Sequence, residues 1–286
     1  DYGDTSDPAA IYSGTIDNTD RAIERLLEKL KAMGIEKDTL VIYSSDNGSY
    51  RRDRVGELRG AKGSNFEGGI RVPGIFSWPG KIPERQVVNY PAGQIDILPT
   101  VCGLLEIDPP EEVHLDGADL SPILLGKSEA IERDQPLAWI LPLSGPSLAL
   151  REGDWSLTGY RKAEFPRDRE AMADLRNQMV TVLRKNGIAD PEAEVKSNLH
   201  EGFDIPEAER LRGAYIRLNQ FQESWIPAIK AMTYESFELY DLSKDVAQKH
   251  NLASKYPKVF ERLKNQLIEI TSDVMNERPD WSDHRE

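Results

Sequence analysis

The sequence predicts an α/β fold in two parts, and three observations lead to this prediction. An amphipathic helical pattern over residues 12–33 precedes an apolar run over residues 39–44, as in half of a βαβ unit. Short strand and helix patterns follow up to about residue 135. Beyond it, strand patterns around a tight turn and a long helical pattern take over. We therefore expect a mixed, mainly parallel sheet flanked by helices in residues 1–135, and a small antiparallel sheet with a packed helix in residues 136–286.

The first helix and the first strand have the clearest patterns. Apolar side chains recur at helical spacing on one stripe, at Ile23, Leu26, Leu27, Leu30 and Met33. Gly34 is a natural stop for this helix. Residues 39–44 are apolar and β-branched without polar alternation, which is typical of a strand buried on both faces in a parallel sheet. Asp46-Asn47-Gly48 then forms a turn signal.

Two more elements are predicted in the same part of the chain. Residues 70–78 have a strand pattern that Trp78-Pro79-Gly80 ends. Residues 94–105 have a helical pattern in which Pro99 falls in an early turn, where proline is tolerated.

The second part of the chain predicts three strands and helices. Residues 147–158 indicate a hairpin that turns at Glu152-Gly153-Asp154, and residues 237–242 indicate a third strand. Residues 161–233 lie between these strands and predict a helical insertion. The last helix is expected from about Pro257 to Asn276, with its core-facing stripe at Phe260, Leu263, Leu267, Ile270 and Val274.

The composition excludes several classes of protein. Hydrophobic residues make up 39% of the chain and charged residues 30%, which is typical of a globular protein. The net charge of −13 argues against nucleic acid as a partner, because phosphate contacts need clustered Lys and Arg. No apolar run approaches the roughly 20 residues of a membrane span. The single cysteine, Cys102, cannot form an internal disulfide, and its apolar helical surroundings predict a buried thiol.

Residues 46–67 carry the candidate chemistry. Asp46 and Asn47 follow a buried strand, where α/β sheets place their ligands, and their oxygen atoms suit Ca²⁺ or Mg²⁺. Lys62 lies on a glycine-rich loop, where a cation can contact a tetrahedral oxyanion. Glu67 and Arg71 are expected to pair and to shape this loop. On their own, these residues also fit an ordinary turn and a solvated lysine.

Several further sequence blocks stand in a fixed order. The first two are Leu58-Arg59-Gly60-Ala61-Lys62-Gly63-Ser64, continuing through Glu67-Gly68-Gly69-Ile70-Arg71-Val72-Pro73, and Trp78-Pro79-Gly80-Lys81-Ile82-Pro83. The others are Asp96-Ile97-Leu98-Pro99-Thr100, Leu115-Asp116-Gly117-Ala118-Asp119-Leu120-Ser121-Pro122, and Phe237-Glu238-Leu239-Tyr240-Asp241-Leu242-Ser243-Lys244-Asp245. Together with the Asp46-Asn47 strand end, they closely resemble the type I sulfatases of the alkaline phosphatase superfamily. The resemblance covers most of residues 10–155 and 234–278, and it does not cover residues 161–233.

The resemblance implies an alkaline-phosphatase-like fold and the hydrolysis of sulfate monoesters. Sulfatases of this type use a formylglycine hydrate as nucleophile and one Ca²⁺ ion, so Asp46 and Asn47 are implied as metal ligands. Lys62 is implied as a catalytic residue that contacts the sulfate. His114 is a second, weaker candidate for substrate binding. The implied substrate is a sulfate ester, including sulfated carbohydrates, and the implied compartment is periplasmic, extracellular or lysosomal.

The sequence departs from the family in its nucleophile. Formylglycine is made in a C-x-P-x-R or S-x-P-x-R motif, and this chain contains neither. The residues after Cys102 lack both Pro and Arg, and the Ser144 segment has Leu148 in place of Arg. We interpret the chain as the C-terminal portion of a sulfatase, truncated before residue 1, and expect it to be inactive alone. A naturally short silent homologue is the other explanation.

Two alternative functions follow from the same pattern. A phosphomonoester or phosphonate hydrolase of the same superfamily would share the metal and oxyanion chemistry. A non-catalytic binding module would keep the sulfatase scaffold for recognition. Metal binding by the complete gene product separates the binding module from the enzymes, and the nucleophile motif separates the two enzymes.

Overall fold

The first part of the structure is built on a long helix and a two-stranded sheet. The computed structural model describes residues 7–110, 112, 114–162, 164–199 and 202–277. Helix α1 (Pro8–Ala32) begins where the carboxylate of Asp7 accepts a hydrogen bond from the amide of Ala9. Strand β1 (Val41–Ser44) pairs antiparallel with β2 (Gly74–Ser77).

Three short helices belong to the same part of the chain. They are α2 (Glu67–Ile70), α3 (Ile97–Leu105) and α4 (Ser121–Leu124). A 3₁₀ turn over Gln94–Asp96 leads directly into α3. The buried carboxylate of Asp96 accepts hydrogen bonds from the amides of Gly93 and Ala118 and pairs with Arg133, so it joins the start of α3 to a distant loop.

The second part of the chain contains a four-stranded antiparallel sheet. Its order is β3 (Leu137–Ile140), β4 (Leu148–Glu152), β5 (Trp155–Arg161) and β6 (Tyr234–Asp241). The long helix α9 (Pro257–Glu277) packs on this sheet. The core between them consists of fully buried leucines, namely Leu148, Leu150, Leu157, Leu239, Leu263 and Leu267. These side chains supply the apolar burial that stabilises this part of the fold.

A helical segment lies between β5 and β6. It comprises α5 (Arg169–Lys185), α6 (Pro191–Asn198), α7 (Pro206–Asn219) and α8 (Ile226–Lys230). Helices α5, α6 and α7 share their own apolar cluster around the fully buried Met179. Helices α5 to α7 therefore have a core separate from the leucine core of the sheet.

The α/β class and the small C-terminal antiparallel sheet with its packed helix are confirmed. The hairpin, the third strand and the last helix lie where the sequence predicts them. Strand β3 was missed, and Ile70 belongs to α2 rather than to a strand. The division into units at residue 135 stays a prediction, and hydrogen bonds from Arg59 to Tyr240 and from Glu67 to Gln248 cross this boundary.

The first strand differs from its prediction of burial on both faces. Within the described residues every strand pair is antiparallel, and β1 pairs with β2 alone. Val41, Ile42 and Ser44 are only half-buried, and Tyr43 is exposed.

The apolar stripe of α1 is also uncovered. Leu26 is 55% exposed and Met33 58% exposed, and none of the residues of this helix is buried. The helix itself is confirmed, but the burial that its pattern predicts is not found in the described part of the chain. The apolar stripe predicted for α9 differs from the structure at its last residue. Val274 is exposed, and Met275 is buried instead. Among the described helices, none is long and apolar enough to cross a membrane.

Candidate functional site

Backbone hydrogen bonds hold two loops together at the end of β1. The amide of Gly48 donates to the carbonyl of Gly69 at 2.8 Å, and the amide of Lys62 donates to the carbonyl of Ser49 at 2.9 Å. A Cβ atom at Gly48 would lie 2.0 Å from the carbonyl oxygen of Gly68. Glycine is therefore required at this contact, and it lets the Asp46-Asn47 loop lie directly against the loop that carries Lys62.

The C-terminal sheet holds the Lys62 loop from the other side. The guanidinium of Arg59 donates to the hydroxyl of Tyr240 at 3.0 Å and to the carbonyl of Gln248 at 2.9 Å. The same guanidinium lies 3.9 Å from the ring centroid of Phe66, which packs against Tyr240. These contacts hold the chain before Lys62, at Arg59, and after it, at Phe66. The roles of Arg59 and Gln248 could not be predicted from the sequence, although Arg59 lies in one of the blocks that carry the family resemblance.

The side chains of Asp46, Asn47 and Lys62 lie close together. The amide of Asn47 donates a hydrogen bond to the Asp46 carboxylate and, with the nearby Lys62 ammonium, holds the pKa of Asp46 below its usual range against partial desolvation. Both Asp46 and Lys62 are exposed to solvent. The arrangement presents an ionised carboxylate, an amide oxygen and a cation on one accessible surface.

Two further residues support the end of β1. The side-chain amide of Gln94 donates to the carbonyl of Ser45 at 2.8 Å, and the hydroxyl of Ser45 donates to the carbonyl of Asn47 at 3.1 Å. The first contact joins the turn before α3 to the residue preceding Asp46. Sequence reasoning missed Gln94, because a glutamine at the start of a helix has many ordinary roles.

Glu67 and Arg71 form the expected charge pair, and a third residue joins them. The Glu67 carboxylate lies 3.6 Å from Arg71 and 3.7 Å from Arg151 on β4. Burial raises the pKa of Glu67, and the two arginines oppose this shift. Burial also lowers the pKa of Arg151.

A cleft of about 840 Å³ opens beside this group, between β2 and the edge strand β3. Glu67, Arg71 and Arg151 line it together with Trp78 and Trp139.

The two remaining predicted residues are His114 and Cys102. The ring of His114 is 80% exposed, and its Nε2 atom lies 3.5 Å from Asp116. Its role in substrate binding stays a prediction. Cys102 is a buried free thiol in α3, as predicted.

The donor set of the Asp46-Asn47 loop fits part of a Ca²⁺ site. It offers carboxylate and amide oxygens, which are hard ligands, and the lowered pKa keeps Asp46 ionised. Ca²⁺ takes about six to eight oxygens, so two residues supply only a fraction of them. The described ranges contain no group of three or more His, Cys, Asp or Glu side chains that could hold a metal ion.

Comparison with known proteins finds one family model and several relatives that match part of this chain. Residues 3–107 match the family model named Sulfatase. Human steryl-sulfatase is 34% identical over 134 residues, which cover 43% of this chain and 23% of that protein. Human arylsulfatase A is 37% identical over 124 residues, which cover 42% of this chain and 24% of that protein. The aligned part of the chain thus spans less than a quarter of the length of these relatives.

A solved structure extends the likeness to almost the whole chain. The structure of BT4656 in complex with its substrate D-glucosamine-2-N,6-O-disulfate superposes with a TM-score of 0.55 at 18% sequence identity. The superposition covers 97% of this chain and 42% of that protein. At this level of identity the likeness shows the fold, and it includes the four-stranded sheet and the helical segment beyond residue 107.

Proposed function

We propose that this protein, whose residues 3–107 belong to the sulfatase family, hydrolyses sulfate monoesters as part of its complete gene product. One observation of the structure supports the proposal most directly. Asp46, Asn47 and Lys62 lie together at the end of β1, on two loops that backbone hydrogen bonds hold in place. A carboxylate, an amide oxygen and an ammonium group on rigid loops suit the binding of a metal ion and of a tetrahedral oxyanion.

Asp46 and Asn47 would provide oxygen ligands to a Ca²⁺ ion. A bound Ca²⁺ ion would polarise the sulfate oxygens and lower the pKa of a neighbouring nucleophile. The Asn47 amide and the Lys62 ammonium lower the pKa of Asp46, which favours the ionised form that a cation needs. The side-chain carbonyl oxygen of Asn47 would be the second ligand.

Lys62 would bind the sulfate group itself. Its side chain is exposed, while its backbone amide is fixed to the carbonyl of Ser49. The ammonium group offers three donors, and it would offset the charge that builds on the sulfate and leaving oxygens during transfer.

The nucleophile is not among these residues. The chain has no C-x-P-x-R or S-x-P-x-R motif, so a formylglycine would be supplied by sequence outside residues 1–286. Formylglycine would supply the nucleophile for cleavage of the sulfate ester. The residues of this chain would bind, orient and neutralise the sulfate during that cleavage.

The substrate class we propose is a sulfated saccharide. The structural relative bound to D-glucosamine-2-N,6-O-disulfate shares its fold with this chain over 97% of the length. The helical segment from α5 to α8 lies outside the family match and is the place where a chain-specific substrate contact is expected.

Parallel assays of the complete gene product and of residues 1–286 test this function. Each is incubated with 4-nitrophenyl sulfate and 4-nitrophenyl phosphate in the presence of Ca²⁺, and 4-nitrophenol release is measured. We expect the complete product to prefer the sulfate ester and residues 1–286 to show no turnover. A preference for the phosphate ester would identify a phosphomonoester hydrolase, and turnover by residues 1–286 would show that the nucleophile lies within them.

A further inference from the structure

We propose that Arg161 and Arg167, named here the arginine pair, form a binding site for an oxyanion. Arg161 is the last residue of β5, and Arg167 precedes α5 by two residues. Both side chains are half-buried. Neither forms an ion pair with a carboxylate within the part of the chain that the structure describes, although this chain has an excess of acidic residues.

Two stacked aromatic rings hold the arginine pair together. Phe165 and Trp225 are buried, with ring centroids 5.3 Å apart and an interplanar angle of 17°. The guanidinium carbon of Arg161 lies 5.0 Å from the Phe165 centroid, and that of Arg167 lies 5.7 Å from the same centroid and from the Trp225 centroid. Both cations therefore contact one ring, and their side chains have little freedom to separate.

The hydrogen bonds of the arginine pair are incomplete. Nη1 of Arg161 donates to the carbonyls of Pro142 and Ser144, at 3.0 Å and 2.5 Å. The Nε atoms of Arg161 and Arg167 are both buried and have no partner among the described residues. The hydroxyl of Ser144, whose carbonyl Arg161 contacts, is buried without a partner as well.

The buried hydroxyl of Tyr234 also has no hydrogen-bond partner among the described residues. Tyr234 lies opposite Arg161 in the pairing of β5 with β6. Four buried donors without acceptors are thus found in one region. Buried donors of this kind are normally satisfied, so their concentration indicates a missing acceptor.

The charges of the arginine pair also indicate a missing anion. Burial and the charge of Arg167 together lower the pKa of Arg161. Two cations that repel each other in a half-buried position destabilise the fold unless an anion neutralises them. A sulfate or carboxylate group provides several acceptor oxygens, and guanidinium groups bind both in bidentate geometry.

The ligand we assign to this site is a sulfate or carboxylate group of a saccharide substrate, away from the ester that is cleaved. This assignment rests on the proposed function, whereas oxyanion binding by the arginine pair does not. The pair lies beyond residue 107, outside the stretch that matches the sulfatase family model. It would therefore distinguish this protein from relatives that share only the Asp46-Asn47-Lys62 region.

Titration with inorganic sulfate tests the site directly. Tryptophan fluorescence and isothermal titration calorimetry of the full 286-residue chain are recorded at constant ionic strength, with chloride replaced by sulfate. We expect saturable binding that Arg167→Gln weakens by about tenfold, because charge-assisted hydrogen bonds are lost. Arg176→Gln, which changes an exposed arginine on α5, should leave the affinity within about twofold.

Further variants separate the proposed site from a general charge effect. Arg167→Lys keeps the charge but loses the planar fork, so we expect an intermediate affinity. Far-ultraviolet circular dichroism confirms that each variant is folded. Absence of saturable binding to the wild-type chain, or equal weakening by Arg167→Gln and Arg176→Gln, would overturn the proposal.

The chain's own acidic residues provide the last control. Asp280, Asp283 and Glu286 lie outside the described residues, and a triple change to Asn, Asn and Gln neutralises them. Unchanged sulfate affinity supports an external ligand, and a tenfold gain would show that these carboxylates occupy the arginine pair instead. A disulfated disaccharide is then compared with a monosulfated one, and equal affinities would reject the saccharide assignment while leaving the oxyanion site intact.

Discussion

The side-chain oxygen of Gln248 accepts a hydrogen bond of 2.8 Å from the backbone amide of Glu67, 181 residues away in sequence. The side-chain nitrogen of Gln248 donates to the hydroxyl of Ser156 at 3.1 Å, and its backbone carbonyl accepts from Arg59. Gln248 is fully buried. One side chain thus connects the loop that carries Lys62 to the C-terminal sheet.

Replacement of Gln248 by leucine should destabilise the protein by about 2–3 kcal/mol, because it leaves the amide of Glu67 and the hydroxyl of Ser156 buried without partners. Urea unfolding followed by tryptophan fluorescence measures the free energy of unfolding. Gln178→Leu is the matched control, since Gln178 is exposed and bonds only to Asp174 within the described residues. It should change stability by less than about 0.5 kcal/mol.

Glu67→Gln should change how stability depends on pH. Burial raises the pKa of Glu67 in the folded protein above the ordinary value of 4.5, so the folded state binds the proton more tightly than the unfolded state. Stability contributed by the protonated carboxyl is present below pH 4.5 and is lost as pH rises through the folded pKa. The stability of Glu67→Gln relative to the wild type should therefore increase from pH 4 to pH 7.

Urea midpoints at both pH values measure this difference, with the exposed Glu269→Gln as a control that should show no such trend. If Glu67→Gln instead loses stability relative to the wild type as pH rises, attraction from Arg71 and Arg151 outweighs burial.

Asp46→Ala should abolish Ca²⁺ binding and turnover in the complete gene product, because it removes the ionised ligand. The melting temperature without metal should stay within about 2 °C, since Asp46 is exposed at a strand end. Calorimetric titration with Ca²⁺ and the sulfate ester assay check both expectations. Asp53→Ala removes another exposed carboxylate, one that bonds Arg51, and should keep full activity. Full activity of Asp46→Ala would reject the metal assignment.

Lys62→Ala should retain Ca²⁺ binding and lose turnover by about 10²–10³-fold, because the lysine acts on the transferring anion. The measurements are kcat on the aryl sulfate and calorimetric titration with Ca²⁺, both on the complete gene product. Lys81→Ala, at an exposed lysine near the ring of Trp78, is the control and should behave as wild type. Loss of the metal in Lys62→Ala would mean that the lysine has a different role.

Local patterns were enough to predict the main elements of the fold. The first helix was expected over residues 12–33 and spans Pro8–Ala32, and the last was expected over 257–276 and spans Pro257–Glu277. The hairpin between Leu148 and Arg161 also follows from its own turn residues. These elements depend on spacing and turn chemistry within a few residues, which a single sequence displays.

Long-range contacts could not be predicted in the same way. Nothing near Gln248 indicates that its amide reaches Glu67, and β3 became a strand only through its pairing with β4. The apolar stripe of α1 predicted burial, but burial depends on what packs against the helix rather than on the helix itself. At the candidate site, Asp46, Asn47 and Lys62 were identified from sequence blocks, whereas Gln94 and Arg59 needed the folded arrangement.

The contacts of Arg59 also set an order of events during synthesis. Its guanidinium bonds to Tyr240 and to the carbonyl of Gln248, which are 181 and 189 residues further along the chain. Ribosomes add about 5–20 residues per second, so roughly 10–40 s pass between the appearance of Arg59 and that of its partners. Throughout this interval the loop that carries Lys62 lacks its support on the sheet. Chaperones that bind exposed loops and strands would thus meet a nascent chain whose candidate site is still incomplete.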